Sequence, residues 1–304
     1  MDGQGHRRVV PQAVQRTGTS LTLTILDCPV VIHCTDAEAA VLLRANYDGM
    51  EGGHTAGAVL RYTVGRIADT RVFLLQRAGV APQRAADTGA LLFLIEKDVT
   101  IALQTLRPEL YFLHAAVLDW AGTAIVLAAA SGQGKSTMTW ALLHHGFRYG
   151  SDELAPVDLQ TLTVMPYPHA LCLKQVPPAA YPLPAQTFVT PSTLHIPTVA
   201  LPTALCTASL PLSVIFFVQY RSEAVAPCVR PLRAAEAVVR LFSHALNPLA
   251  HAAEGLDAAI TIAQHCRCFA LETATLPATC ALVCRTLHAL DTGAPPPAVG
   301  GGAG

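Results

Sequence analysis

A run of small and polar residues near the middle of the chain has the composition of a phosphate-binding loop. Residues 129–137 read AASGQGKST and match the pattern G-x-x-x-x-G-K-[ST], except that alanine stands at the first glycine position. Gly132 and Gly134 allow the backbone to turn so that successive N–H groups point at one phosphate. Lys135 is placed to reach the outer phosphates, and the Ser136 hydroxyl is placed to ligate Mg²⁺. The residues expected to bind the nucleotide phosphates are Ser131, Gly132, Gln133, Gly134, Lys135, Ser136 and Thr137.

The sequence on either side of this run supports the same interpretation. An apolar strand is predicted over residues 123–127, and a helix is predicted from Ser136 to about His145, where Gly146 ends it. Strand, glycine-bearing loop and helix in that order place the N–H groups of a helix start at the phosphate site, whereas a chance Gly-Lys-Ser turn lacks this context. The alanine at 129 matters only if that residue must adopt a positive φ, where it is strained by about 1–2 kcal/mol.

Two adjacent acids, Asp152 and Glu153, follow the next predicted strand, which covers residues 147–150. A helix and a returning strand would bring them to the sheet edge at which the loop opens, where parallel α/β sheets bind ligands. Because neighbouring strand residues point to opposite faces, at most one of the two acids faces a phosphate squarely. Such a carboxylate can bind Mg²⁺ or accept the proton of an attacking hydroxyl. The alternative is a solvated acidic turn at the end of a strand.

One histidine, His114, precedes the glycine-bearing loop on a predicted strand beside residues 123–127. Its imidazole could orient an acid or contact a phosphate, and the alternative is an ordinary histidine of the core or the sheet edge. Lys174 and Arg221 each follow an extended run, where either could face a phosphate or simply end a solvated strand.

The composition describes an apolar chain with few charges. Hydrophobic residues make up 52% of the 304 residues, and charged residues make up 13%, against about 25% in ordinary soluble proteins. This balance excludes a disordered chain, and the apolar runs at 123–130 and 212–218 are shorter than the roughly 18 residues of a membrane-spanning helix. A net charge of −1 gives no electrostatic drive toward nucleic acid or an anionic membrane.

The nine cysteines are an odd number spread along a long chain. They predict reduced thiols in a cytoplasmic protein rather than a disulfide framework, and the N-terminal residues have no apolar segment typical of a signal peptide.

Length and pattern predict about two domains. The predicted divisions are a flexible arm over 1–18, a small β-rich α+β domain over 19–108, an α/β domain over 109–292 and a disordered tail over 293–304. In the first domain a helix is expected to begin with Thr35 or Asp36 as its N-cap, and another to cover 91–106. In the second, strands are expected at 111–118, 123–127, 147–150, 212–220 and 267–272, with helices after them. Residues 175–211 are rich in proline, which predicts a long loop that is functional or mobile.

Four segments taken together resemble the HPr kinase/phosphorylase-like family, whose members include kinases of lasso-peptide precursors. They are His114-Ala-Ala, residues 129–137, residues 146–153 (GFRYGSDE) and residues 166–174 (PYPHALCLK). The resemblance is clear over residues 110–175 and general over 212–290. Ordinary P-loop nucleotide hydrolases lack the early histidine and carry their acid on a later strand. The resemblance implies a P-loop kinase core of the HPr kinase type, with a smaller β-rich α+β N-terminal domain.

The same resemblance implies a function. ATP would lie on the loop with Mg²⁺, and the γ-phosphate would pass to a serine of a peptide or small protein, such as a ribosomally made precursor peptide. The implied catalytic residues are Asp152, His114 and Lys135, with Asp152 as the base, and the implied metal ligands are Ser136, Asp152 and Glu153. The second acid of the family is commonly aspartate, so the longer Glu153 leaves the division of roles between the two acids open.

The chain also departs from that family. The Pro-Val-rich stretch followed by Gly-Arg that classical HPr kinases carry is not apparent, which argues against HPr itself as the acceptor and gives no basis for a hexamer. The expected partner is therefore an acceptor peptide or small protein, with neither nucleic acid nor membrane, and a homo-oligomer is compatible with the apolar composition. The alternative function is a nucleotide-binding scaffold or adaptor with little phosphotransfer.

Overall fold

A computed structural model describes residues 18–53, 57–221 and 223–293 of the chain. Over these ranges the protein is a mixed α/β structure with three sheets and six α-helices. Apart from Gly18 and Gly293, the predicted arm and tail lie outside the described residues. No helix of the described part is long and apolar enough to cross a membrane.

The N-terminal part is a five-stranded sheet with two helices packed on it, and its strands follow one another in chain order across the sheet. The strands are β1 (Thr19–Ile25), β2 (Cys28–Cys34), β3 (Leu60–Arg66), β4 (Phe73–Arg77) and β5 (Gln83–Ala85), and the helices are α1 (Ala37–Tyr47) and α2 (Thr88–Leu106). Asp36 caps α1 by accepting a hydrogen bond from the Ala39 N–H at 2.9 Å, which confirms the predicted helix start.

The larger part is built on a second, eight-stranded sheet. Its strands, with those of a small third sheet, are β6 (Leu110–Trp120), β7 (Thr123–Ala128), β8 (Arg148–Ser151), β9 (Leu154–Asp158), β10 (Thr163–Val164), β11 (Leu171–Leu173), β12 (Phe188–Val189), β13 (Leu194–Ile196), β14 (Leu210–Tyr220), β15 (Cys228–Pro231) and β16 (Arg267–Thr273). The helices are α3 (Lys135–Leu143), α4 (Ala234–His244), α5 (Leu256–His265) and α6 (Leu276–Asp291). The predicted strand at 123–127 and the predicted helix after the glycine-bearing run are confirmed.

The centre of this sheet is parallel, with β7, β14 and β16 side by side. The long strand β6 runs antiparallel to β7 and also pairs with β8 and β9, so it joins the parallel centre to the acidic turn between those two strands. One face of the sheet packs against α3 and α6, and the other packs against α4 and α5. Helix α3 therefore lies on one face of the sheet, and the loop before it passes over the carboxyl end of β7.

The proline-rich segment 175–211 differs from an uninterrupted loop, because it contains two short strands. The strand β13 occupies residues between Pro191 and Pro197 and pairs with β11 and β12 to form the third sheet. Proline cannot donate to a strand ladder, and both β12 and β13 occupy stretches that contain no proline.

The N-terminal part shares its core with the larger part. Its hydrophobic cluster includes four buried residues of the second sheet and the segment after it, namely Leu110, Phe112, Leu154 and Tyr167. The acidic turn between β8 and β9 therefore lies close to the packing surface of α1 and α2.

Candidate active site

The segment from Ala129 to Lys135, here called the glycine loop, connects β7 to α3 at the edge of the parallel sheet. Gly132 and Gly134 have φ values of 83° and 86°, in the left-handed region that favours glycine. A Cβ atom at either position would meet no other atom within 4 Å, so both glycines border open space. The N-terminus of α3 has no side-chain cap. Its first N–H groups are therefore available to an anion.

The alanine at the first position of the loop creates no backbone strain. Ala129 is buried in the core and is not among the described residues with positive φ. The departure from the usual glycine is thus accommodated by an ordinary backbone conformation.

The side chain of Lys135 is buried, and its ammonium group points at the acidic turn. It donates a hydrogen bond to the main-chain oxygen of Asp152 and lies 3.6 Å from Glu153 Oε2. A buried lysine needs a partner for its charge, and these two oxygens provide it. Lys135 therefore joins the glycine loop to the turn between β8 and β9.

Glu153 forms the centre of the polar site. Its Oε2 lies 2.8 Å from Nε2 of His114 on β6, in a hydrogen bond. Burial raises the pKa of Glu153, but the hydrogen bond to His114 and the positive charge of Lys135 outweigh it and hold the pKa at about 2. The side chain is 43% exposed, so the Glu153 carboxylate is ionised at neutral pH and still open to a ligand.

Asp152 occupies a different environment, although it is the adjacent residue. Its side chain is fully buried, and both carboxyl oxygens accept hydrogen bonds from inside the protein. Oδ1 accepts from the Tyr149 hydroxyl at 2.9 Å, and Oδ2 accepts from the Cys172 N–H at 3.0 Å. None of these donors belongs to the glycine loop. Only the main-chain oxygen of Asp152 contacts Lys135, whereas the side chain of Glu153 joins His114 and Lys135.

Of the other residues selected from the sequence, Lys174 and Gln133 make contacts at the glycine loop, whereas Arg221 does not. Lys174 reaches it, because its ammonium donates to Ser131 Oγ at 3.0 Å. Gln133 accepts a hydrogen bond from the Tyr220 N–H at 3.0 Å, which ties the loop to the end of β14. Arg221 instead pairs with Glu272 at 3.1 Å on the surface. Ser136 and Thr137 occupy the first turn of α3 and are partly buried.

A cleft of about 360 Å³ borders the glycine loop, and it was not among the features predicted from the sequence. Its lining includes Gln133, Phe217, Gln219, Arg240, Ser243 and His244. Burial lowers the pKa of His244, and the nearby charges of His114 and Lys135 lower it further. The end of α4 thus faces the same site. The only available signal was the four-residue spacing of Arg240 and His244, which places them on one side of a helix.

Metal-binding side chains are the next feature of the site. Over residues 18–53, 57–221 and 223–293, no group of three His, Cys, Asp or Glu side chains is arranged to hold a metal ion. The polar groups beside the loop are instead a lysine, a glutamate and a histidine.

The fold has a distant likeness among solved structures. No protein-family model matches the chain, and no curated protein sequence matches it. The HPr(Ser) kinase/phosphatase from Coxiella burnetii aligns with 60% of this chain and 98% of its own chain, with 10% sequence identity and a TM-score of 0.31. A likeness at this level indicates a distant structural relationship and carries no argument about activity.

Proposed function

We propose that the chain is an ATP-dependent kinase that transfers the γ-phosphoryl group to a serine hydroxyl of a peptide or small protein. The observation that carries this proposal is the convergence of Lys135, Glu153 and His114 beside an open, uncapped helix start. Phosphates require N–H donors and a cation, and phosphoryl transfer requires a group that orients the attacking hydroxyl. All three kinds of group are present at this one edge of the sheet.

The glycine loop fits the phosphates of a nucleotide. Open space lies over Gly132 and Gly134, and the free N–H groups at the start of α3 face an anion favourably. Lys135 supplies a positive charge at the base of the loop, and Lys174 supplies a second one at Ser131. Residues 131–137 would therefore hold ATP.

Ser136 and Glu153 are the residues that would hold Mg²⁺. Magnesium is commonly bound by one or two carboxylates together with substrate phosphates, so one hydroxyl and one ionised carboxylate suit it. The bound ion supplies charge neutralisation on the phosphate oxygens. Because the Asp152 carboxylate is buried and bonded to other groups, we assign it neither to the metal nor to the acceptor.

Glu153, rather than Asp152, would orient the acceptor. In the reaction the bond from the γ-phosphorus to the β-γ bridging oxygen breaks, a bond to the serine Oγ forms, and the serine proton leaves by way of the Glu153 carboxylate to solvent. A carboxylate with a pKa of about 2 is a weak base. The transition state of phosphoryl transfer is loose, however, so positioning the hydroxyl matters more than removing its proton early. His114 holds the carboxylate in place.

The test is transfer from Mg²⁺ and radiolabelled ATP to a library of serine-containing peptides. Wild-type protein is expected to bind ATP and label serine, whereas Lys135→Met is expected to lose both. Lys97→Met is the matched control, because Lys97 is an exposed lysine on α2. If wild-type protein binds ATP but labels no peptide or protein, the scaffold function replaces the kinase. If it fails to bind ATP, the nucleotide site itself is refuted.

A further inference from the structure

A second polar cluster lies behind the site, where the N-terminal part packs against the larger sheet. The His169 imidazole is 1% exposed and lies between two carboxylates. Its Nε2 is 3.2 Å from Asp152 Oδ1, and its Nδ1 is 3.6 Å from Glu96 Oε1. Asn46 donates its side-chain N–H to the same Glu96 oxygen at 2.9 Å. We call these four residues, Asn46, Glu96, His169 and Asp152, the buried polar chain.

The buried polar chain is enclosed by the protein. Asn46 and Asp152 are fully buried, and Glu96 is a partly buried residue of α2. A carboxylate without water is strongly unfavourable unless hydrogen-bond donors surround it. Asp152 therefore depends on the polar groups around it, and His169, whose Nε2 lies 3.2 Å from Oδ1, is the one that connects it to the N-terminal part.

Through Asp152 the buried polar chain reaches the glycine loop. The Asp152 side chain is held from inside, while its main-chain oxygen accepts a hydrogen bond from the Lys135 ammonium. The next residue, Glu153, contacts both Lys135 and His114. A displacement of Asp152 would therefore move the oxygen that holds Lys135 and the residue that carries the reactive carboxylate.

We propose that His169 is a positioning residue for this site, and that α1 and α2 complete the site from behind through Asn46 and Glu96. The change in kcat expected from this role rests on the proposed function, whereas the expected change in hydrogen exchange does not. His169 touches no reacting atom. It fixes the acidic turn, which in turn fixes Lys135.

Further hydrogen bonds, one of them between main-chain groups, hold the same boundary in register. The Asn46 carbonyl accepts from the Ala170 N–H at 2.7 Å, next to His169. Asp48 accepts from the Thr198 N–H at 3.0 Å, from the Thr198 hydroxyl at 2.7 Å and from the Val199 N–H at 3.0 Å. The end of α1 is thus joined to the residue before β11 and to the segment after β13, so the contact between Glu96 and His169 is part of an extensive interface.

Hydrogen exchange in the unliganded protein measures this positioning directly. In His169→Leu, peptides covering residues 148–154 are expected to exchange about tenfold faster than in wild type, because Asp152 loses the imidazole that lies 3.2 Å from its Oδ1. His169→Gln keeps a side-chain N–H and is expected to restore most of the protection. His195→Leu is the matched control, since His195 is an equally buried histidine that bonds Thr193 rather than Asp152. Should His169→Leu fail to fold, Glu96→Gln removes the outer charge at constant size and is expected to accelerate the same peptides about threefold.

Turnover of Mg·ATP supplies the second readout. In His169→Leu the kcat is expected to fall about tenfold, because the turn that carries Glu153 shifts. The KM for ATP is expected to stay within about threefold of wild type, since Lys135 keeps its charge and the N–H groups of the glycine loop do not depend on Asp152. Unchanged exchange at 148–154 in folded His169→Leu and Glu96→Gln overturns the proposal, and so does equal acceleration in His195→Leu. A wild-type protein that does not turn over ATP defeats the proposed function, while the exchange comparison still decides the role of His169.

Discussion

Replacing Gly134 by alanine adds one methyl group where α3 begins. The substitution is expected to affect both the stability of the protein and its affinity for ATP, and the two effects can be measured separately. The residue has a φ of 86°, and the new Cβ would meet no protein atom within 4 Å. The unfavourable φ destabilises the folded state by about 1–2 kcal/mol, and the reduced freedom of the unfolded chain offsets about 0.4–1 kcal/mol of that. The net loss is about 1 kcal/mol, which lowers the Tm by about 2 °C in a chain of this size.

The effect of Gly134→Ala on ATP binding is expected to be larger. The methyl group would occupy the open space over the loop in which we place a phosphate. Loss of one hydrogen bond to a charged group is worth about 1.5–3 kcal/mol, so the Kd for Mg·ATP is expected to rise about 10- to 100-fold. Calorimetric titration with Mg·ATP measures the affinity, and thermal unfolding without ligand measures the stability.

Gly122→Ala is the matched control for this substitution. Gly122 lies in the turn between β6 and β7 with a φ of 87°, and its added Cβ would also meet nothing within 4 Å. It is therefore expected to lose the same stability as Gly134→Ala but to keep wild-type affinity. Wild-type affinity in Gly134→Ala, or an equal loss in both variants, would refute the assignment of phosphates to the glycine loop.

Three further outcomes are expected. Glu153→Gln is expected to lower phosphate transfer about 100-fold while ATP binding persists, as measured by radiolabel transfer. Asp152→Asn is expected to lower the unfolding midpoint more than Glu153→Gln does, as measured by thermal unfolding of both variants. Burial lowers the pKa of His195 to about 4, from 6.5 in an unfolded chain. Because the unfolded chain alone binds a proton between those values, the unfolding free energy is expected to fall by about 3 kcal/mol as the pH drops from 6.5 to 4, and His195→Gln should show a correspondingly weaker pH dependence in urea unfolding. Asp36→Ala removes the α1 cap and the 2.8 Å ion pair with Arg66, and urea unfolding is expected to show a loss of about 1–2 kcal/mol.

Local sequence signals were sufficient for the glycine loop. The apolar run before it, the glycines within it and the helix after it all depend on residues close together in the chain, so β7 and α3 are found where the pattern indicates. Strand alternation predicts that adjacent side chains point to opposite faces. Asp152 and Glu153 lie instead in the turn between β8 and β9, where Asp152 is buried and Glu153 is partly exposed. The alternation rule does not say which of the two acids faces the glycine loop. That depends on the hydrogen-bond partners of the buried acid, Asp152.

Those partners come from distant parts of the chain. His169 follows the strand pair β9–β10, and Glu96 belongs to a helix of the N-terminal part, so no spacing rule connects either to Asp152. The same holds for His244 in the cleft. Helix α4 contacts β6 only in the folded protein, so no spacing in the sequence places His244 near the site. Local propensity predicts elements, whereas side-chain partners depend on the tertiary packing of segments that are far apart in sequence.

The arrangement of the central sheet has a consequence for synthesis of the chain. Strands β6 and β7 meet through a tight turn at Gly122, so this hairpin and the glycine loop can form while the rest is still being translated. The strand beside β7, however, is β14, and β14 in turn pairs with β16, which comes about 140 residues after β7. Parallel pairing between such distant segments is slow. A ribosome-bound chain would therefore carry a complete nucleotide-binding motif without a sheet to support it, and we expect ATP to stabilise the protein only after β14 and β16 have been synthesised.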